Sequence, residues 1–351
     1  MGNGRGKQLA VRAVPWIAVA VIVWLLLRRY PAEEIAKYIE EGNVLGTIPF
    51  ALAAGVVTLF LMAFADYLVF SNFGKLRYRD VLAGKGASSI LVSVTHSAGT
   101  GLYGVWLARA IGTNTPRTIG IIAYTTLSDL TALCCIAIVP LSLPSFEMAG
   151  LNRPLIITFC GIGVAALSMV ALLGPKYLPK VIGRPELFAP WLELGLRTFL
   201  ATVSVRIVSV SFMMVCTYFA AAAFGLDLPV VTILGWLPAI YLAGALPINV
   251  GGFGAVQGMW IFAFERYGIP GAQLIAFQVL YNLATNVVLL LRGAPFLSTA
   301  IRVRSQPTQT VVHAPTAHAT SDGENEPASH SPSFRGPRLD NHASDRPEKR
   351  V

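Results

Sequence analysis

From Thr47 to Phe70 a single charged residue, Asp66, interrupts a run of aliphatic, aromatic and small side chains. A stretch this long and this apolar is sized for the hydrocarbon of a bilayer, and there it must be helical, because lipid offers no partner to a free backbone N–H or C=O. The pattern recurs. Ile119–Pro140 carries only Asp129, Thr198–Phe224 carries only Arg206, and Leu155–Leu173 and Ala272–Leu291 carry no charge. Over the whole chain, 54% hydrophobic and 13% charged residues with a mean hydropathy of +0.62 exclude a soluble domain. The formal charge of +9 does not imply nucleic acid, since the basic residues sit beside apolar segments instead of forming a basic domain.

Two stretches break the pattern. Ala245 to Met259 reads ALPINVGGFGAVQGM and sets Pro247, Asn249, Gly251, Gly252 and Gly254 among apolar neighbours. Backbone of that kind is tolerated at membrane depth only where protein shields it or water reaches it. The apolar stretch from Ala255 to Phe264 follows, so the glycine turn feeds a helix N-terminus whose N–H groups suit a phosphate or carboxylate. The plainer alternative is that these glycines only permit a kink or close helix packing. Ala87–Ile111 is similar, with Thr95, His96, Ser97, Gly99, Thr100, Gly101 and Gly104 between apolar ends.

The two breaks align. His96–Gly101 lies over Asn249–Gly254, and Tyr124–Leu130 over Phe277–Leu283, at the same offset; between them Gly104–Trp106 meets Gly258–Trp260 after one inserted residue. Basic residues orient the chain. Arg5, Lys7, Arg12, Lys75, Arg77, Arg79, Lys85, Arg109, Arg117, Lys176, Lys180, Arg184, Arg197, Arg292, Arg302 and Arg304 fall on one side, against Arg28, Arg29, Lys37, Arg153 and Arg266 on the other. This puts both termini in the cytoplasm, in an inner cell membrane, and makes the two hairpins dip in from opposite faces. The expected fold is therefore an all-α integral membrane protein: a helical bundle of about six full spans plus two re-entrant broken-helix hairpins in an inverted repeat. Val14–Leu27 is its retained first span, and an amphipathic interfacial helix presents Ile35, Tyr38 and Ile39 opposite Glu33, Glu34, Glu40 and Glu41. Residues 1–301 form the transmembrane domain, and the Pro-, Ser-, Thr- and His-rich residues 302–351 a disordered cytoplasmic tail.

Polar residues within the apolar segments nominate a site. Asp129 and Arg206 lie deep in their spans, where an isolated charge costs at least about 2.5 kcal/mol, and are expected to pair, either as a lipid-phosphate site or as a structural ion pair. Asp66, near a span end, is expected at the interface. His96 occupies the first turn opposite Asn249, as a titratable or a structural imidazole. Gln278, Asn282 and Asn286, spaced by four, form a polar seam on the last span, and Glu265 with Arg266 an interface anchor. The substrate-binding set is thus Asn249, Gly251, Gly252, Gly254, Gln257, His96, Gly99, Gly101, Asp129, Arg206 and Asn282. Cys134, Cys135, Cys160 and Cys216 all fall in apolar segments without metal-ligand spacing, so no metal, no cofactor and no catalytic residue is expected.

Pro247, Gly251, Gly252 and Gly254, followed by a helix and the turn at Gly268–Pro270, resemble the second signature of the lysylphosphatidylglycerol synthase transmembrane-region family; Ala87–Leu130, with Arg109, Gly112 and Asp129, resembles the first. These are flippase-like proteins related to the N-terminal part of the bacterial multiple peptide resistance factor. The resemblance covers roughly Thr47 to Pro295. It implies a bundle that moves a phospholipid or polyprenyl-type lipid between leaflets, with a homo-oligomer or a partner lipid enzyme left open. The chain departs from the family's habit at Gln257, at Thr95, His96 and Ala98–Gly101, and at Thr125 and Thr126, where charged residues are common. The expected function is lipid translocation, without enzymatic activity; the alternatives are a membrane subunit of a lipid-modifying or glycolipid-synthesising enzyme, or a small-anion secondary transporter.

Overall fold

A computed structural model describes residues 21, 24–92, 96–143, 157–158, 160–170, 185–245 and 254–303, and every regular element among them is helical. The amphipathic helix α1 (Ala32–Glu41) follows Pro31 and carries Glu33 and Glu34 in its first turn, where carboxylates complement the helix dipole. Asn43 then caps α2 (Val44–Phe70), its side chain accepting from the Gly46 N–H at 2.9 Å. After α3 (Tyr78–Val92) and α4 (His96–Ile111), Asn114 caps α5 (Thr115–Ser142) in the same way. The chain continues as α6 (Pro185–Phe224), α7 (Val230–Ala245), α8 (Ala255–Phe264), a 3-10 turn (Glu265–Tyr267) and α9 (Gly271–Val303).

Four helices among the described residues are long and apolar enough to cross a membrane: Val44–Phe70, Thr115–Ser142, Glu186–Phe224 and Gly271–Phe296. They match four of the spans expected from sequence. Most of Val14–Leu27 lies outside the described residues, and Leu155–Leu173 is represented by a shorter apolar helix, Cys160–Val170. The tail lies outside them beyond Val303. The third of these spans begins earlier than Thr198. A break at Gly195 (φ 66°, ψ 174°) separates a first segment, through Leu194, from the long apolar run, and glycine adopts that backbone without a Cβ penalty.

Helix directions follow from which residues touch. Along α2 and α6, Phe50 stacks on Phe219 and Asp66 meets Arg206, so the helices run antiparallel. Along α5 and α6, Tyr124 meets Trp191 and Phe199 while Asp129 meets Arg206, so these run parallel. The helices α3 and α4 fold back on one another, with Val92 against Gly99, Lys85 over Tyr103 and Gly84 against Trp106. A side chain at Gly99 would meet the Val92 backbone nitrogen at 2.8 Å, so the tight return needs glycine there. The first hairpin thus starts at Tyr78, not at Ala87 as its composition suggested. The polar residues of YRD hid the first turns of the arm, whose buried face is Val81, Leu82, Ala83 and Gly84.

The second hairpin has the same build. Trp236 packs on Phe262 and Gly244 lies against Val256, pairing α7 with α8 antiparallel. Each first arm packs on the last span of the other half: α3 on α9, through Ser89 Oγ to the Leu289 carbonyl at 2.9 Å, and α7 on α5.

Candidate functional site

Four of the helices that carry a charge into the apolar interior meet at one point. Asp66 on α2 is 1% exposed and is not at the interface, in contrast to the sequence expectation. Its Oδ2 accepts from Lys85 Nζ of α3 at 2.8 Å and from the Tyr103 hydroxyl of α4 at 3.0 Å, and its Oδ1 from Arg206 Nη2 of α6 at 2.7 Å. The other guanidinium nitrogen, Nη1, pairs with Asp129 of α5. So the Asp129–Arg206 pair expected from sequence forms, as part of a larger network. Lys85 is likewise displaced from the loop to which its charge assigned it: Asp66 holds it inside the bundle, its ammonium 4.9 Å from the Tyr103 ring centroid. Arg292, counted with the loops as well, reaches from α9 to the Gly55 carbonyl of α2.

The charges of this network balance, two carboxylates against two cations. Burying any of them alone would cost several kcal/mol, whereas pairing with full hydrogen bonding makes the group tolerable in hydrocarbon. Asp66 and Arg206 form the closed centre. The side chains of Lys85 and Asp129 stay 31% and 40% exposed, so the network has two ends that a ligand can reach. Burial leaves the Arg206 Nε without a hydrogen-bond partner among the described residues.

Beyond Asp129 the surroundings turn apolar. A cleft of about 470 Å³ opens between α5, α6 and α7, lined by Cys135, Ile136, Val139, Met214, Val231 and Leu234. Ile136 lies two turns past Asp129 on the same face of α5, roughly 10 Å along the axis. A charged patch followed by an apolar trough matches an amphiphile in chemistry and in order.

The remaining sequence candidates lie elsewhere. Asn249, Gly251 and Gly252 fall outside the described residues, as does the side chain of His96, whose backbone opens α4. Gly254 (φ 132°) precedes α8, but its N–H is taken: Gln257 Oε1 accepts it at 2.7 Å. The helix end drawn from sequence as an anion site is capped there by its own glutamine. Gly101 is exposed on α4, with open space where a side chain would project, while Gly99 serves the hairpin's close return. Gln278 is buried on α9, with Asn282 and Asn286 half-buried along the same helix. Beside them a hydroxyl group of three joins Thr217 to Tyr241 and Tyr281 at 2.9 and 3.0 Å.

Sequence reading missed Lys85 and Tyr103. For Lys85 the signal was present, since Gly84, Gly86, Ala87, Ser88 and Ser89 around it are the small residues of a close helix–helix contact, not of a loop. Tyr103 had no signal of its own.

Comparison with known proteins adds one match. A family profile described as the lysylphosphatidylglycerol synthase TM region covers residues 10–293, a span that includes all five residues of the network. No curated protein matches the chain.

Proposed function

Because the chain belongs to the lysylphosphatidylglycerol synthase transmembrane-region family, we propose that this multi-pass membrane protein of a lipid-related family carries a phospholipid or similar amphiphile between leaflets, without chemically altering it. The observation that carries the reading is the charge-balanced network of Asp66, Lys85, Tyr103, Asp129 and Arg206, drawn from five helices and open at two ends inside an apolar bundle. A polar headgroup crossing hydrocarbon needs such a station, and acyl chains need an apolar trough beside it.

The build supports alternating access. Span, hairpin and span recur in the two halves, the leading spans α2 and α6 run antiparallel, and each hairpin leans on the other half's closing span. We read this as an inverted repeat. The hairpin arms of 15, 16, 16 and 10 residues reach about 15–24 Å, short of a hydrocarbon core of about 30 Å, which supports re-entrant insertion. At aligned positions the halves differ: the charged Asp129 of the first corresponds to the neutral Asn282 of the second, and Tyr103 to Gln257. On this reading Asp66, Lys85 and Asp129 of the station come from the first half and Arg206 from the second, and the termini are cytoplasmic.

Proteoliposomes loaded with fluorescent phospholipid test it, read by an outer-leaflet quencher. Asp129→Asn and Lys85→Met, both altered at the open ends, are expected to slow lipid movement at least about tenfold while the protein stays folded. Wild-type rates in both variants would defeat the proposal. Accumulation of a labelled soluble anion in the lumen would instead indicate a solute carrier, and a changed headgroup mass an enzyme.

A further inference from the structure

Of the four cysteines, all free thiols, two on different helices lie close together. A Cβ added at Gly163, on the helix Cys160–Val170, would lie 3.5 Å from the Cys134 Sγ of α5, an ordinary van der Waals contact. The Cys134 thiol therefore rests on this helix at a position that has no side chain. Cys160 stands three residues earlier on the same face, a spacing that puts Cβ positions about 5–6 Å apart. The two thiols also interact electrostatically, Cys160 acting on Cys134 more strongly than its own sequence neighbour Cys135 does. Both are half-buried, so a small uncharged solute reaches them.

The remaining cysteines face other surroundings. Cys135 lines the apolar cleft between α5, α6 and α7, and Cys216 is buried on α6 near Tyr241 and Tyr281. A disulfide needs Cβ atoms about 3.5–4.5 Å apart, and Gly163 leaves the Cys134 side chain room to swing toward Cys160. Depth in the membrane points the same way. Cys134 is eight residues, about 12 Å, before the end of α5 at Ser142, and Cys160 opens the apolar helix that follows in the chain. With cytoplasmic termini, as proposed above, both thiols lie toward the outer surface, where no reducing cytoplasm protects them.

We propose that Cys134 and Cys160 are an oxidation site, where a reversible disulfide ties the helix Cys160–Val170 to α5. With hydrogen peroxide as oxidant, the Cys160 sulfur attacks one peroxide oxygen as the O–O bond breaks, giving a sulfenic acid and a first water. The Cys134 sulfur then bonds to the Cys160 sulfur as the S–O bond breaks, releasing the second water. The two thiols together lose two electrons and two protons, and one peroxide becomes two waters; a dithiol reductant reverses the bond by exchange. The bond also bears on the apolar cleft. Cys135, Ile136 and Val139, which line it, belong to the stretch of α5 that carries Cys134, so a tether there fixes one wall of the trough.

The test is a thiol count on the purified full chain in neutral detergent, treated with hydrogen peroxide, then denatured and alkylated, with the joined peptides identified by mass spectrometry. The four alkylated cysteines are expected to fall to two, with Cys134 and Cys160 in one peptide pair, and dithiothreitol to restore all four. Cys135→Ser is expected to keep the bond, whereas Cys134→Ser and Cys160→Ser each abolish it, size-exclusion chromatography confirming that the variants stay folded. Four alkylated cysteines after peroxide, a link through Cys135 or Cys216, or separate sulfinic acids on Cys134 and Cys160 overturn the site. The effect on the cleft rests on the translocation reading and is read in the liposomes: peroxide is expected to slow wild-type protein at least about threefold and to leave Cys160→Ser unchanged. Unchanged movement in protein that carries the bond overturns that effect. Because the thiol count involves no lipid movement, failure of the disulfide and failure of translocation are told apart.

Discussion

Arg206→Met is expected to lower the unfolding free energy of the purified protein by about 3–5 kcal/mol, among the largest effects available to a single substitution in this chain. Arg206 is 1% exposed and bonds two carboxylates, so its loss strands charge instead of merely removing a contact. The two carboxylates do not suffer equally. Asp66 is 1% exposed and keeps only Lys85 and Tyr103, whereas the Asp129 side chain, at 40% exposure, is not enclosed by protein and can reorient. Most of the loss is therefore assigned to Asp66. It follows that Asp66→Asn in the Arg206→Met background should recover stability, because it removes the charge that the first change left buried. Denaturant titration in detergent micelles, followed by tryptophan fluorescence, decides the matter: a single variant as stable as wild type, or two losses that simply add, would contradict this account of the network.

Gly120→Ala carries the second large effect, and here the cause is shape. A Cβ at Gly120 would overlap the backbone carbonyl of Leu187 on α6, and backbone cannot move aside as a side-chain tip can. The same contact holds the Trp191 indole, whose Nε1 donates to the Gly120 carbonyl at 2.7 Å. Overpacking of this kind costs about 1–3 kcal/mol, and with rigid backbone on both sides the upper end is expected. The break at Gly195 lets the segment before it tilt as a unit, so the damage should stay local. Hydrogen exchange should rise over residues 186–194 and stay unchanged where α2 pairs with α6. Gly101→Ala is the control: with open space at its Cβ and a helical backbone, it should leave stability equal or raised by about 0.5 kcal/mol. Equal behaviour of the two variants would remove the argument from contact.

Much of this architecture was legible in the chain because lipid enforces a local rule. Every backbone polar group in hydrocarbon must find a partner close by in sequence, so an apolar run of sufficient length announces a helix, as Thr47–Phe70 and Ala272–Leu291 do, and glycine or proline within such a run announces a break. The hairpins were visible for that reason, and the lone charges at Asp129 and Arg206 marked the interior as polar before any contact was known. The edges were less legible. The start of the first hairpin at Tyr78 reads as a loop because Arg79 and Asp80 continue the charges of Lys75 and Arg77, yet Val81, Leu82 and Ala83 directly after them are buried.

What the sequence by itself determined was where the chain is helical, where glycine and proline interrupt the apolar runs, and that charges enter the apolar interior. Only the tertiary structure decided which charges meet. Pairing of Asp66 with Lys85, Tyr103 and Arg206 depends on the antiparallel approach of α2 and α6 and on the fold of the first hairpin, contacts separated by up to 140 positions along the chain. A charge's position in a span is a local property, but its partner is not, because in a low-dielectric interior the interaction energy depends on a few ångströms of separation that no spacing along one helix encodes.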